Sequence, residues 1–140
     1  MSQPAELLTT EAVADIAAAL NQAVAETVVT TMMAQNFHWN VTGMAFGALH
    51  ELFQEIYEDH FEAQDDLAER VKALGAHAEG KLVDMIARSK IEEHDGHADA
   101  ETMVKTLSAA QKTVAKTLSG VADMAEPAGD LITQDLAIER

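Results

Sequence analysis

The chain of 140 residues contains no cysteine, only two prolines and seven glycines, and no basic residue before Arg70. The absence of cysteine excludes disulfides, thiolate metal sites and thiol nucleophiles. The scarcity of proline and glycine leaves long stretches free to form helix. No apolar run approaches the roughly 20 residues that span a bilayer, and the N-terminus has no basic region followed by an apolar stretch. We therefore predict a helical protein with no membrane segment and a cytoplasmic location.

The charge of the chain is strongly negative and unevenly distributed. The formal net charge is −15. Residues 1–69 contain 12 acids and no base, whereas residues 70–140 contain 12 acids and nine bases. Such a surface repels nucleic acid phosphates and attracts cations. The charge favours metal ions over DNA as partners, although solubility or adaptation to a salty habitat explains it equally well.

The residues that are present predict an all-α fold. With 48% hydrophobic residues, the chain can form one domain over residues 1–140, of which 1–10 are a short N-terminal tail. Apolar residues spaced by three or four predict helices over 9–37, 46–74, 99–124 and 131–140, and a short helix over 82–87. The inward stripe of the first helix is Val13, Ile16, Leu20, Val24, Val28 and Met32. This order predicts an up-down four-helix bundle whose crossover carries the short helix.

Turn and cap residues separate these predicted helices. Thr9 or Thr10 can cap the first helix, and Asp130 the last. Residues 40–43 (Asn-Val-Thr-Gly) break the chain after the first helix, Gly75 ends the second, and residues 127–129 (Pro-Ala-Gly) turn the chain before the last. No strand pattern, internal repeat or low-complexity segment occurs.

Four residues on the first two helices are candidates for a metal site. His38 and His50 flank the turn between these helices, so the chain reversal brings both to one end of a hairpin. Asp65 and Glu69 lie one helical turn apart and share a face. Imidazole and carboxylate together suit Fe(II), Zn(II) and similar cations.

The spacing of these candidates prevents one chain from assembling them. In a straight helix, 15 residues at ~1.5 Å each separate His50 from Asp65 by roughly 22 Å, whereas metal–ligand distances are roughly 2 Å. Either the residues are unrelated and the acids form a solvated surface, or two antiparallel copies each supply half of every site.

The contexts of the remaining histidines and the absence of a di-iron motif argue against a metal site within one chain. His60 and His77 are most simply structural. His94 and His97 lie in an acidic segment that could hold a metal, although a solvated polar loop is the simpler reading. Di-iron bundles place Glu-x-x-His on their helices, and this motif does not occur in the sequence.

Three motifs surround the candidate site residues: Asn36-Phe37-His38-Trp39-Asn40-Val41-x-Gly43, Phe46-x-x-Leu49-His50-x-x-Phe53, and Asp65-x-x-Ala68-Glu69-Arg70-x-x-x-Leu74-Gly75. Together they resemble the Dps mini-ferritins, the DNA-binding proteins from starved cells. The resemblance extends to Gly129-Asp130-x-x-Thr133-x-Asp135-Leu136. It implies a hollow shell of twelve four-helix subunits that oxidises Fe(II), preferably with hydrogen peroxide, and stores the ferric mineral.

The resemblance also implies roles for particular residues. The iron site of the family lies between two-fold-related subunits, so His38 and His50 would come from one chain and Asp65 and Glu69 from its partner. Trp39 would be an oxidation-sensitive neighbour of that site. Three acids of the last segment, Asp130, Asp135 and Glu139, would line a three-fold entry pore, although surface solvation explains each of them equally well.

The chain departs from the family pattern at three points. Many members have an acid four residues after the second histidine, where this chain has Gln54. Residues 1–10 contain no base, whereas DNA-binding members often use a lysine-rich tail, so we do not expect DNA binding. Family chains also continue the fourth helix past the equivalent of Arg140, so we expect a shortened last helix. The alternatives are a structural nucleoid protein that coats DNA and an oligomer with a degenerate metal site.

Overall fold

The computed structural model describes residues 8–140, which form five α-helices and no strand. The helices are α1 (Thr10–Asn40), α2 (Phe46–Ala73), α3 (Leu82–Arg88), α4 (Ala100–Ala128) and α5 (Leu131–Glu139). α1 packs against α2, α4 and the short α3, and α5 packs against α4. The predicted all-α bundle with a crossover helix is confirmed. Most of the predicted tail, residues 1–7, lies outside the described residues.

Local capping signals place most helix ends where the sequence predicts them. The Thr9 side chain accepts a hydrogen bond from the backbone N–H of Ala12 (3.0 Å), and α1 begins after it. Asp99 and Asp130 cap α4 and α5 in the same way. Gly75 follows α2 with φ +83°, a conformation that glycine adopts without steric cost.

Two helices extend further than predicted. α1 continues to Asn40 rather than residue 37, so His38 lies in its last turn. α4 continues to Ala128 and includes Pro127, and the chain turns only at Gly129 (φ +80°). The expectation that the turn begins at Pro127 is therefore wrong, because a proline in the last turn removes only one N–H from a helix that is already ending.

The core is built around α1, whose buried apolar residues include Ile16, Leu20 and Phe37. Met32 was expected on this inward stripe but is 46% exposed, while its neighbour Met33 is buried. The predicted stripe advanced by four residues at each step from Leu20. Each such step rotates about 40° around a helix of 3.6 residues per turn, so the stripe drifts off the core.

α1 also has the length and average composition of a membrane-spanning helix, although no unbroken apolar run predicted one. Just over half of its most apolar 18-residue window is buried inside the bundle. Asn21 and Glu26 are buried polar residues within this helix. The apolar character of α1 is therefore accounted for by its central place in the bundle.

Buried Glu26 joins three parts of the fold. Its carboxylate accepts a hydrogen bond from the Thr117 hydroxyl of α4 (2.5 Å) and one from the backbone N–H of Lys90 in the crossover (3.0 Å). Gln22, one turn earlier on α1, donates a third (3.3 Å). A buried carboxylate is tolerated when donors surround it. Glu26 therefore attaches α4 and the crossover to the central helix.

Candidate metal centre

His38 and His50 are brought together at one end of the hairpin formed by α1 and α2. His38 lies in the last turn of α1 and His50 in the second turn of α2, on either side of the turn that contains Gly43 (φ +102°). Their rings stack with centroids 3.7 Å apart and planes inclined by 17°. His38 is buried and His50 is partly buried. The predicted pairing of these two histidines is observed.

Reciprocal hydrogen bonds fix the tautomer of both rings. The Nδ1 of His38 lies 2.6 Å from the backbone oxygen of His50, and the Nδ1 of His50 lies 2.7 Å from that of His38. A carbonyl oxygen only accepts, so each Nδ1 carries the proton and donates. A neutral imidazole protonated at Nδ1 keeps its lone pair on Nε2. The pair therefore has the outer-shell hydrogen bonds that orient histidine ligands in metal sites.

Aromatic side chains surround the two rings. Tyr57 meets the ring of His38 edge to face at 5.4 Å, and Phe46 stacks on His50 at 5.0 Å. Trp39, next to His38 in the chain, is 59% exposed. Each histidine therefore has one aromatic neighbour besides the other ring, and Trp39, the one tryptophan of the sequence, lies at the surface.

Asp65 and Glu69 lie at the other end of α2 from His50. Both side chains are exposed, and neither forms a hydrogen bond or ion pair within residues 8–140. Because α2 is one uninterrupted helix from Phe46 to Ala73, the estimate of roughly 22 Å between His50 and Asp65 applies. No group of three or more His, Asp or Glu residues suited to a metal occurs in the described part of the chain. A single chain therefore keeps the histidine pair apart from the carboxylate pair, Asp65 and Glu69.

His50 and the carboxylate pair lie on the same side of α2. At about 100° per residue, His50, Phe61 and Asp65 fall within roughly 60° of one another around the helix axis, and Glu69 lies about 40° further. Phe61 is 64% exposed at the middle of this face. The sequence could have identified Phe61 by its register with His50 and Asp65, but its exposure depends on how α2 is rotated in the bundle.

An apolar groove of about 310 Å³ continues this face across α1 and α3. Its exposed apolar side chains are Met32, Phe61, Leu82 and Ile86. Clustered apolar side chains on a surface usually mark a contact with another molecule. A second, more open cavity of about 440 Å³ beside Phe61 includes Asp65 in its lining. The carboxylate of Asp65 is thus at the border of an apolar surface.

Gln54, where many Dps proteins have an acid, is exposed one turn after His50. Its side-chain nitrogen donates to the carboxylate of Glu58 at 2.8 Å. Position 54 can therefore offer a metal ion only the uncharged amide oxygen of Gln54. An uncharged oxygen binds a cation more weakly than a carboxylate does.

The three acids expected at a pore are not equivalent. Asp135 and Glu139 are exposed on α5. Asp130 is completely buried, and its carboxylate accepts a hydrogen bond from the guanidinium of Arg70 at 2.8 Å. The assignment of Asp130 to a pore is therefore wrong for this structure, because the carboxylate is paired with a buried cation and caps α5.

Two other histidines, His60 and His94, make contacts within the fold. Burial lowers the pKa of His60, while the Asp59 carboxylate and the Ile56 carbonyl oppose this shift. His94 packs its ring edge on Phe37 at 4.9 Å, and its Nδ1 accepts from the backbone N–H of Gly96 at 2.9 Å. The Nδ1 of His94 also lies 3.7 Å from the exposed carboxylate of Asp95.

Comparison with known proteins gives a consistent family. A family model described as a ferritin-like domain matches residues 17–140. The DNA protection during starvation protein of Brevibacillus brevis is 35% identical over 121 residues, which cover 86% of this chain and 81% of that protein.

Solved structures resemble the whole bundle. Dps from Staphylococcus aureus superposes with a TM-score of 0.87 at 33% identity, over 94% of this chain and 87% of that one. The Vibrio cholerae Dps protein, described as a member of a broad superfamily of ferritin-like diiron-carboxylate proteins, gives a TM-score of 0.91 at 29% identity, over 94% and 83% of the two chains. The chain belongs to the Dps mini-ferritins of the ferritin-like family.

Proposed function

We propose that this protein oxidises Fe(II) at sites shared by two subunits and stores the Fe(III) product in a hollow homo-oligomeric shell of twelve chains in the cytoplasm. The observation that carries the proposal is the division of the ligands. His38 and His50 form a hydrogen-bonded pair with free Nε2 atoms, while Asp65 and Glu69 lie exposed on the same helix, roughly 22 Å from His50.

An antiparallel two-fold pairing of α2 helices completes the site. A two-fold axis relates identical surfaces, so residue i of one chain meets residue j of the other and j meets i. If His50 lies opposite the partner's Asp65, the axis passes midway between them, near position 57 or 58. Met32, Phe61 and Ile86 then meet a second copy, which explains why these apolar side chains are exposed in one chain.

The donor set suits both oxidation states of iron. Imidazole nitrogen and carboxylate oxygen both bind Fe(II), and added carboxylate favours the harder Fe(III) product. Two Fe(II) ions, one hydrogen peroxide molecule and two protons give two Fe(III) ions and two water molecules. Dioxygen is the alternative oxidant. Either route consumes the Fe(II) that would otherwise convert peroxide to hydroxyl radical.

A row of acids runs along α2 between His50 and Asp65. Glu51, Glu55, Glu58 and Glu62 are exposed and follow one another at spacings of four, three and four. Together with Asp65 and Glu69 they form a stripe of carboxylates with no base among them. We expect this stripe to attract cations and to support growth of the ferric mineral.

Anaerobic addition of Fe(II) followed by hydrogen peroxide tests the proposed activity. We expect ferric absorbance to appear rapidly in the natural protein. In a His38→Ala/His50→Ala variant we expect it to appear only as fast as in a solution of Fe(II) and peroxide without protein. A His77→Ala variant is the matched control, because His77 is an exposed histidine outside the pair, and it should oxidise iron normally. Equal rates in the natural protein and the paired variant would reject the site.

Replacement of Gln54 by glutamate should tighten binding of the second iron at each site. The carboxylate adds a charge and a hard ligand where the natural chain offers a neutral oxygen. Isothermal titration with Fe(II) under anaerobic conditions measures this as an increase in affinity of about tenfold or as one more ion per site. Glu55→Gln, which changes charge at the next residue, controls for general electrostatics. An unchanged isotherm for Gln54→Glu removes this residue from the site.

The competing function, a structural protein that coats DNA, predicts a different interaction. Nonspecific DNA affinity comes mainly from basic groups that displace condensed counterions. Here no base precedes Arg70 and each subunit carries −15. We therefore expect no retarded band in a gel shift with duplex DNA at roughly 0.15 M salt without divalent cations. A retarded band would contradict this and direct attention to Lys105, Lys112 and Lys116.

A further inference from the structure

The end of α1 that carries His38 is clamped by a turn of the crossover, residues 94–96, which we name the crossover turn. The Asn36 side chain donates from Nδ2 to the backbone oxygen of His94 at 3.0 Å. Its Oδ1 accepts from the side chain of Asn40 at 2.7 Å. Asn36 lies two residues before His38, so this clamp acts on the last turns of α1.

Close approach of the crossover turn requires glycine at position 96. Gly96 is buried, with φ +84°. A Cβ atom added there would lie 2.3 Å from Oδ1 of Asn36, which is far inside van der Waals contact. The Gly96 N–H also donates to Nδ1 of His94 at 2.9 Å, which closes the turn. A side chain at position 96 would displace either the Asn36 side chain or the turn, and either shift would break the hydrogen bond from Asn36 to His94.

Aromatic contacts also connect the turn to both helices of the histidine pair, directly to α1 and through α1 to α2. The His94 ring meets Phe37 edge to face at 4.9 Å, and Phe37 meets Phe53 at 5.8 Å. Both phenylalanines are buried. Phe37 directly precedes His38, and Phe53 lies one turn after His50. The column from His94 through Phe37 to Phe53 therefore connects the crossover to the segments that hold both histidines.

We propose that the crossover turn, through Asn36 and Gly96, is a positioning element for the histidine half-site; the inference rests on the proposed function of that site. The reciprocal Nδ1 bonds are 2.6 and 2.7 Å long and join opposite helices. A shift of about 1 Å between α1 and α2 would take both beyond hydrogen-bonding distance. The rings would then lose their fixed tautomer and orientation, while the fold remained.

Titration of the assembled protein with Co(II), without added peroxide, measures metal affinity in the absence of turnover, because Co(II) is not oxidised in that experiment. We expect Gly96→Ala to weaken Co(II) binding about tenfold, the lower end of the effect of losing an outer-shell contact. Gly75→Ala is the matched control. Gly75 has nearly the same φ, +83°, but nothing lies within 4 Å of an added Cβ. It shares the backbone strain and should lose thermal stability while it keeps the natural Co(II) affinity.

Asn36→Ala removes the clamp without backbone strain and tests the same proposal if Gly96→Ala folds poorly. We expect about tenfold weaker Co(II) binding again, and little further loss when Gly96→Ala is added, because the two residues act through one contact. Natural affinity in a folded Asn36→Ala or Gly96→Ala protein would overturn the proposal. Equal weakening in Gly75→Ala would also overturn it, since general destabilisation would then suffice.

A third variant separates failure of this inference from failure of the proposed function. His38→Ala/His50→Ala should abolish the Co(II) sites. If that variant binds Co(II) as the natural protein does, the histidine pair is not the metal site, and both proposals fail. If it loses the sites while Asn36→Ala and Gly96→Ala retain them, only the positioning role of the crossover turn fails.

Discussion

Shells reassembled from equal amounts of His38→Ala/His50→Ala chains and Asp65→Ala/Glu69→Ala chains are expected to oxidise Fe(II), whereas shells of either variant alone are expected not to. In a two-fold pair of unlike variants, one site combines both defective halves, and the other combines the intact histidines of one chain with the intact carboxylates of its partner. Random pairing makes half of the pairs mixed, so about a quarter of the natural number of sites should return.

The mixed shells require their own controls. Assembled shells of the two variants, combined without dissociation, should stay inactive because no mixed pairs form. Native mass spectrometry verifies that reassembled shells contain both chains. Shells that are mixed by this criterion but inactive would contradict a shared site, and activity in either variant alone would show that a half-site is sufficient.

The elements that the sequence predicted best are those with local causes. Thr9 and Asp130 cap helices through bonds to residues three positions later, and Gly75 ends α2 because its backbone conformation suits glycine. These interactions depend on neighbours in the chain and can be read from short windows of sequence. The histidine pair was also predictable, because a short turn between two helices brings its flanks together.

The features that the sequence did not predict depend on residues far apart in the chain. Asn36 bonds to His94, 58 positions away, and Arg70 to Asp130, 60 positions away. The sequence around Asp130 does not show whether its carboxylate faces solvent or pairs with an arginine far away in the chain. Met32 was misplaced because a regular apolar spacing gives the amphipathic face approximately, and packing fixes the rotation of the helix.

This chain also divides its chemistry differently from di-iron bundles that hold metal within one subunit. The interior of its bundle contains one buried carboxylate on α1, Glu26, and that group is used to attach α4 and the crossover. The residues proposed to bind iron lie instead at the end of α1 and at the two ends of one face of α2. Stability and metal chemistry therefore rest on separate residues, so a variant that weakens one need not weaken the other.

Loss of the Arg70–Asp130 pair should be the most destabilising single change among the acids of this chain. Arg70 is 4% exposed and Asp130 is fully buried. Arg70 donates from Nη2 to Asp130 and from Nε to the Thr133 hydroxyl, both at 2.8 Å. Asp130 also accepts from the Thr133 backbone N–H at 3.1 Å, which begins α5. The pair thus holds α5 against α2 and completes the bundle.

We expect Asp130→Ala to lower the free energy of unfolding by about 3–5 kcal/mol, because it leaves the buried guanidinium of Arg70 without a carboxylate to neutralise its charge. Denaturant unfolding at fixed protein concentration measures this, since assembly contributes to apparent stability. Asp135→Ala, an exposed acid on the same helix, is the matched control and should change stability by no more than about 0.5 kcal/mol. Asp130→Asn, which keeps a capping oxygen but removes the charge, should fall between them. A loss below about 1 kcal/mol for Asp130→Ala would mean that Arg70 finds another partner, and Asp130 would again be available as an acid at the subunit surface.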